Sequence, residues 1–464
     1  MGTKFSSRTG VLLLADIVAV LNGILLAMFL RLGEEGTYYQ LYENNGWLKI
    51  FFAACVWLVA LYFHDLYDYQ ILSSRDEIFF RTIQAVGIAW VSLALIYYLI
   101  PRLEIGPGTA LYAIALTLTV LLGVRLAFFY VMDHPEMGER ILIVGEGPEV
   151  GDTIRAVTER RAAGYRIIGF LGDQQAGAPA AVHALPVARL GRISELERIV
   201  NDQRIDRIVV GVRQRRGVFP ADALLRLRLN GDVLIDECAS FYETVSGKVH
   251  LDMVRPSWLI FSQYSRNTQI KAGFRDLVHR SLAFVGLIVS LPVAVLTAIL
   301  IKIESPGPIF YRQVRVGKND RHFEVIKFRS MRSDAEAGGT PIWASPNDDR
   351  VTVVGKFIRK VRIDEIPQFW NILKGEMRFV GPRPERPHFV EQLAREIPFY
   401  EHRHLVAPGL TGWAQVKYPY GASVEDARQK LQYDLYYIKN QTLLLDLMIV
   451  LQTVKIILLG KGGR

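Results

Sequence analysis

The sequence predicts a membrane protein in three parts: a four-helix transmembrane bundle, a Rossmann-like α/β middle domain, and a C-terminal α/β domain with a re-entrant membrane helix. Three observations predict it. Apolar stretches of near-span length crowd the first third of the chain, and 50% of all residues are hydrophobic. From Glu139 short apolar runs alternate with helical stretches, which argues for a parallel sheet. A long uncharged segment then introduces a polar region rich in arginine and lysine. These parts correspond to residues 1–135, 136–265 and 266–464. A chain of 464 residues is long enough for several cores.

The first part contains apolar stretches at about Val11–Leu30, Leu48–Phe63, Thr82–Ile100 and Thr109–Met132. Lys4 and Arg8 precede the first, GEEG follows it, Arg75 and Arg81 lie between the second and third, and Arg140 follows the fourth. Positive flanks stay inside, so the N-terminus and everything after Met132 are expected in the cytoplasm. The first stretch is too long for a signal-peptide core and reads as an anchor. Asp16 and Arg125 fall within spans; pairing inside the bundle is the favoured reading over a transport role. The net charge of +9 suits an anionic lipid surface, and with this apolar content no nucleic-acid partner is expected. Cys55 and Cys238 form no recognisable disulfide framework or metal motif.

In the middle part, RILIVGEG reads as a strand entering a glycine turn. Gly145, Gly147 and Gly151 give G-x-G-x-x-x-G, with Asp173 ending the next strand. This approaches a dinucleotide fingerprint without its standard spacing, so the glycines are candidate nucleotide-binding positions or merely a tight turn.

Ser281–Ile301 is uncharged throughout and long enough for a fifth span. Lys271, Arg275 and Arg280 precede it, and Lys302, Arg312 and Arg315 follow, which favours one side of the membrane for both ends. Pro292 at its centre removes a helix hydrogen bond and predicts a kink, with Ser290 available to a freed carbonyl. A re-entrant helix over about 279–303 is therefore expected. Leu443–Leu459 carries Asp446, Gln452 and Lys455, which favours an interfacial helix over a span.

The chemistry concentrates in VRIDEIPQFWNILKGEMRFVGPRPERP, where Asp364 and Glu365 precede Pro367 amid Arg359, Lys360, Arg362, Arg383 and Arg386. Pro367 suits a helix start and Gly375 a helix end, so the pair is expected at a helix N-terminus. A carboxylate among arginines stays ionised and serves as nucleophile or metal ligand, while the arginines hold phosphate. Pro382 and Pro384 stiffen the backbone around Arg383 and aim its guanidinium. Lys327 and Arg329, two residues apart on an expected strand, would share one face as phosphate ligands. The remaining cations of Arg312–Arg332 read as a face against anionic lipid.

These blocks, together with SPGPIFYRQVRVGK, FEVIKFRSM and PGLTGWAQV, resemble the bacterial sugar transferases, polyprenyl-phosphate phosphoglycosyl transferases of the exopolysaccharide type. The likeness runs from about Lys271 to the C-terminus and makes the C-terminal part the catalytic domain; the family also has a re-entrant helix. It implies that Asp364 attacks a UDP-sugar and releases UMP, and that polyprenyl phosphate then takes the phosphosugar, initiating exopolysaccharide or O-antigen synthesis. Glu365 is implied as a Mg²⁺ ligand with Asp364, Gln415 as a contact on the uridine side, and Trp413 as either its neighbour or a core residue. Membrane lipids and downstream glycosyltransferases are implied partners, and a homodimer stays open. Arg378 stands where the family commonly has Ser, and Ala407 where a basic residue is usual. A polytopic nucleotide-sugar dehydratase and a nucleotide-sensing membrane receptor are rival readings. The first lacks a Tyr-x-x-x-Lys pair, and the second leaves the DE, KFRSM and PRP blocks unexplained.

Overall fold

The computed structural model describes residues 7–67, 75–133, 138–159, 164–173, 187–212, 219–229, 233–254, 268–332, 350–418, 421 and 423–458. Lys4 and the expected domain boundary near residue 265 lie outside them. Two compact units meet in sequence between Ser246 and Gly247. The division falls ahead of residue 265 because Val249 and Leu251 are buried in the C-terminal core.

The first unit begins with long apolar helices: α1 (Ser7–Tyr38, bent at Gly33), α2 (Gly46–Phe63), α3 (Arg75–Leu99) and α4 (Pro107–Asp133). Each is long and apolar enough to cross a membrane, and they mark a membrane protein. Ile24, Met28, Trp57, Leu61, Ala89, Leu93 and Leu121 fill their common core. Asp16 and Arg125 pair at 2.5 Å with both side chains fully buried, and the guanidinium lies 5.1 Å from the Tyr67 ring centre. Each charge is thereby compensated inside an apolar bundle, where a lone one would be costly.

The middle part is a parallel sheet of β1 (Glu139–Val144), β2 (Tyr165–Leu171), β3 (Arg189–Gly191), β4 (Arg207–Val210) and β5 (Leu234–Glu237), ordered β3-β2-β1-β4-β5. That is the Rossmann-like order. Continuous apolar runs such as Ile141–Val144 are fully buried because helices cover both faces of a parallel sheet. The described helices here are α5 (Pro148–Thr158), α6 (Leu196–Asp202), α7 (Ala221–Leu229) and α8 (Cys238–Ser246).

In the second unit α9 (Thr268–Glu304) is one helix of 37 residues, assigned without a break through Pro292. Ser290 Oγ donates to Leu287 O at 3.4 Å, not to the Ile288 carbonyl that Pro292 frees. An antiparallel hairpin follows, β6 (Phe310–Val316) with β7 (His322–Phe328). Then come α10 (Val353–Lys360), a 3₁₀ turn (Ile363–Glu365) and α11 (Gln368–Lys374). The short parallel pair β8 (Arg378–Val380) and β9 (Gly409–Thr411) encloses α12 (Pro387–Glu396) and a 3₁₀ stretch (Tyr400–Leu405). The chain closes with α13 (Trp413–Lys417), α14 (Val424–Lys439) and α15 (Leu443–Leu458).

Two features of α15 and α9 follow from buried charge. Asp446 of α15 accepts from Arg275 Nε at 2.8 Å and Nη2 at 3.1 Å, while Arg275 also donates to Tyr437 and Gln441. Arg378, which stands in place of a common Ser, donates to Asp276 at 2.6 Å. The first turns of α9 are thus tied to the domain that follows it. The polar residues that disfavour a span in α15 are turned inward: Asp446 and Lys455 are buried, while Leu444 and Leu447 are exposed.

Candidate active site

The sequence forms the site by an abrupt turn. After α10, Arg362 adopts a left-handed backbone (φ 61°), rare for a non-glycine residue, and the chain reverses into the 3₁₀ turn. Asp364 and Glu365 therefore sit in that turn, not at the helix N-terminus the sequence suggested, and α11 begins only at Gln368. Both side chains are buried. Gly375 ends α11 in the left-handed region (φ 83°) that favours glycine.

Burial separates the two carboxylates into different states. Glu365 Oε1 receives Arg383 Nη2 at 3.0 Å, Lys327 Nζ at 3.2 Å and Arg362 Nη1 at 3.4 Å. Burial alone would raise the Glu365 carboxyl, yet Lys327, Arg383 and Arg362 hold it well below the usual carboxylate range. Asp364 makes none of these contacts, and its Oδ1 is sealed from water with no hydrogen-bond partner. Burial, with the charge of Glu365 beside it, pushes the Asp364 carboxyl up, while Lys327, Arg362 and Arg359 pull against that. The ion-pair contacts of Lys327, Arg362 and Arg383 are made to Glu365.

Of the expected ligands, Lys327, Arg362 and Arg383 converge. Lys327 reaches the pair because Asn371, fully buried in α11, locks β7 in place. Its Oδ1 accepts from Ile326 N at 3.1 Å and its Nδ2 donates to Glu324 O at 2.7 Å. Arg329 goes elsewhere. It lies past the end of β7 and donates to Ser305 O at 2.7 Å and Pro306 O at 2.6 Å, closing the chain after α9. The strand ends before the alternation that would have paired it with Lys327. Arg386 immediately precedes α12, and its charge weighs with that of Arg383 on Arg315. Trp413 is a core residue: its Nε1 donates to Gly247 O at 2.8 Å and its ring stacks on Tyr436. Gln415 donates to Leu410 O at 3.2 Å, and its Oε1 is buried without a hydrogen-bond partner. Sequence reasoning missed Asn371, Arg403 and Asp434; only Asn371 lies inside the conspicuous run.

The glycine turn of the middle domain is filled by its own acidic side chains. Gly145 (φ 132°) makes the tight turn after β1, and a Cβ there would strike Gly211. Gly147 precedes α5, but the Glu149 carboxylate occupies the space where a Gly147 Cβ would lie, and the Glu146 side chain likewise packs over Gly172. Pro148 removes one of the helix N–H donors as well. Asp173 is engaged as acceptor for Ile193 N at 3.3 Å. Gly145 makes the tight turn after β1, Gly147 precedes α5, and Gly151 is buried within it.

Fold and site together define a membrane protein whose C-terminal domain sets two adjacent buried carboxylates beside a cluster of cations. The family model described as bacterial sugar transferase matches residues 270–460, and one described as a CoA-binding domain matches 62–214. An Aeromonas hydrophila protein named UDP-N-acetylgalactosamine-undecaprenyl-phosphate N-acetylgalactosaminephosphotransferase is 45% identical over 226 residues, 48% of this chain and 52% of that protein. A Komagataeibacter xylinus undecaprenyl-phosphate glucose phosphotransferase is 31% identical over 343 residues, 70% of this chain and 61% of the relative. The exopolysaccharide production protein PSS of Rhizobium leguminosarum bv. phaseoli is 38% identical over 177 residues, 36% of this chain and 87% of its own length. The chain belongs to the bacterial sugar transferase family. Its match spans between about half and three fifths of the first two relatives.

Proposed function

We propose that the chain transfers a phosphosugar from a UDP-sugar to polyprenyl phosphate through an aspartyl intermediate, the first step of an exopolysaccharide or O-antigen. The observation that carries this reading is the buried Asp364, whose Oδ1 makes no hydrogen bond while its neighbour Glu365 takes the contacts of Lys327, Arg362 and Arg383. An Asp364 oxygen attacks the sugar-bearing phosphorus, the phosphoanhydride bond breaks, and UMP leaves with the electron pair. An oxygen of polyprenyl phosphate then attacks the same phosphorus, and Asp364 is released as carboxylate. A carboxylate whose proton affinity is raised by burial is the stronger nucleophile once ionised. Arg383 and Lys327 lie where they neutralise phosphate oxygens as charge develops. Mg²⁺ fits here: two adjacent carboxylates, one with an oxygen lacking a partner, match an ion that takes one or two carboxylates and shares substrate phosphates. Asp364 and Glu365 would hold it, and it would supply charge neutralisation of the diphosphate.

The membrane reading completes the function. Both ends of α9 dock on one polar domain. Arg275 meets Asp446 and Tyr437 near its start, and Glu304 at its end accepts from Val353 N at 2.7 Å and Val354 N at 3.1 Å. Between them Ala283 packs with Ile372 and Met377, and Ile301 with Phe328 and Ile358. The opposite face exposes Phe284, Val285, Ile288, Val289, Leu296 and Ile299. Docking of both ends on the same domain supports placing them on one side of the bilayer. We read α9 as re-entrant in one leaflet, α1–α4 as the four spans, and the catalytic domain as cytoplasmic at the bacterial inner membrane. The middle domain is architectural on this reading, and downstream glycosyltransferases take the product.

The test is a panel of UDP-sugars with polyprenyl phosphate and Mg²⁺, read by UMP release from purified protein. Asp364→Asn should abolish release while the protein stays folded and membrane-bound. Sustained turnover by that variant, with deamidation ruled out, removes the covalent step. Cysteines placed near Arg275 and Arg312 should both label from the cytoplasm only; periplasmic labelling of the second makes α9 a fifth span.

A further inference from the structure

Arg383 owes its aim to more than its flanking prolines. Between Pro382 and Glu385 four successive backbone carbonyls are each taken by a donor: Pro382 O by Gly409 N at 2.9 Å, Arg383 O by Arg403 Nη2 at 2.9 Å, Pro384 O by Arg315 Nη1 at 3.0 Å, and Glu385 O by Val316 N at 2.9 Å. Two of these donors are side chains from distant parts of the domain. Arg403 lies in the 3₁₀ stretch Tyr400–Leu405 and Arg315 in β6. Arg403 is buried, and its fork also donates to Asp434 Oδ2 of α14 at 3.0 Å and to Tyr400 Oη at 2.6 Å.

We infer that Arg403, anchored by Asp434, is a positioning residue that presets Arg383 for the phosphate. Arg403 touches Arg383 only through its backbone carbonyl, and the Arg383 guanidinium is the group that reaches Glu365. A planar guanidinium can satisfy a carbonyl, a carboxylate and a phenol at fixed angles, whereas an ammonium cannot hold the same fork. A buried ion pair is a poor source of stability compared with apolar packing of the same volume. Its place directly behind the Arg383 carbonyl suits orientation instead, since a group that stabilises developing charge must be fixed before the reaction. Asp434 is thereby linked, through two arginines, to Glu365. The inference rests on the proposed phosphate role of Arg383.

A double-mutant cycle separates positioning from simple structural support. Arg403→Met, Arg383→Met and the double variant are compared by kcat and KM for UMP release, and by pyrophosphate binding in a calorimeter, with melting temperature recorded for each. Arg403→Met should lower kcat by about 10²-fold, the scale of an ångström misplacement, and weaken pyrophosphate binding on the wild-type background. On the Arg383→Met background it should cause no further loss in either readout. Equal losses on both backgrounds, or an Arg403→Met enzyme with unchanged kcat, would overturn the inference. If Arg403→Met does not fold, Arg403→Lys keeps a charge beside Asp434 without the fork and carries the same cycle. A wild-type chain that binds pyrophosphate but releases no UMP from any donor would refute the transferase reading alone, because the binding cycle still decides the positioning role.

Discussion

Glu365→Gln tests how the two carboxylates divide their work. The substitution keeps shape and removes one charge from the contact of Lys327, Arg362 and Arg383. At an effective dielectric of about 20, each contact near 3 Å carries about 5 kcal/mol of gross attraction. The net loss is far smaller, because burying Glu365 has its own cost and the three partner side chains are 23%, 34% and 36% exposed. Stranding partly hydrated cations should therefore cost about 3 kcal/mol, the lower end for a broken buried pair. For a unit of this size that lowers the melting temperature by about 6–12 °C. The variant should still fold at low temperature, so its chemistry can be measured. There the sign is definite. Asp364 must be deprotonated to attack, so activity is lost as pH falls through its raised pKa. After burial, the charge of Glu365 is what raises it. Removing that charge leaves Lys327 and Arg362 unopposed, so Asp364 should ionise at lower pH than in the wild type. The pH profile of the UMP burst should show its acid limb moved downward even though the plateau rate falls. An acid limb that stays in place or moves upward would refute the account of Asp364 as the titrating nucleophile beside a permanently ionised Glu365.

Further outcomes follow from the same geometry. Gly409→Ala should prevent folding of the C-terminal unit, since a Cβ would strike the Gly381 amide and Thr411 O where β8 meets β9; Gly273→Ala, in α9 with open space around it, should be neutral or slightly stabilising by thermal melt. Burial pushes the Asp434 carboxyl up to about 6 despite Arg403, so it binds its proton more tightly folded than unfolded. Its contribution to stability is therefore greatest in acid and declines as pH rises from about 4 to about 6. The melting temperature of wild type minus that of Asp434→Asn should fall between pH 4.5 and 7.5; a difference that grows would contradict it. With Glu149 filling the turn before α5, NAD⁺, NADP⁺ and coenzyme A at millimolar levels should leave the melting temperature unchanged, and a clear upward shift with any of them would show that the turn opens.

Much of the architecture was legible because it rests on local periodicity. The long apolar helices, the alternation of Ile141–Val144 and Arg207–Val210 with helices, and the cluster around Asp364 are all patterns over a few turns or strands. The site was legible in composition and less so in detail. Lys327, Arg362 and Arg383 were found from their blocks, yet Arg329, two residues from Lys327, turned out to close the end of α9. Spacing places residues on a face only while the strand lasts, and β7 stops at Phe328. The glycine turn shows the same limit: spacing shows where a backbone can turn, not that the Glu149 side chain folds back beside Gly147.

By itself the sequence determined the apolar helices, the parallel sheet, and the adjacency of two carboxylates to a store of cations, because bilayer thickness, strand pleat and peptide geometry act on neighbours in the chain. Only the tertiary structure decided which carboxylate the cations hold, that both ends of α9 return to one domain, and that Arg403 and Asp434 meet behind Arg383. Those outcomes depend on which side chains burial brings together across distant elements. Burial also amplifies their electrostatics, so small differences in placement leave Glu365 locked in charge and Asp364 with a raised affinity for its proton.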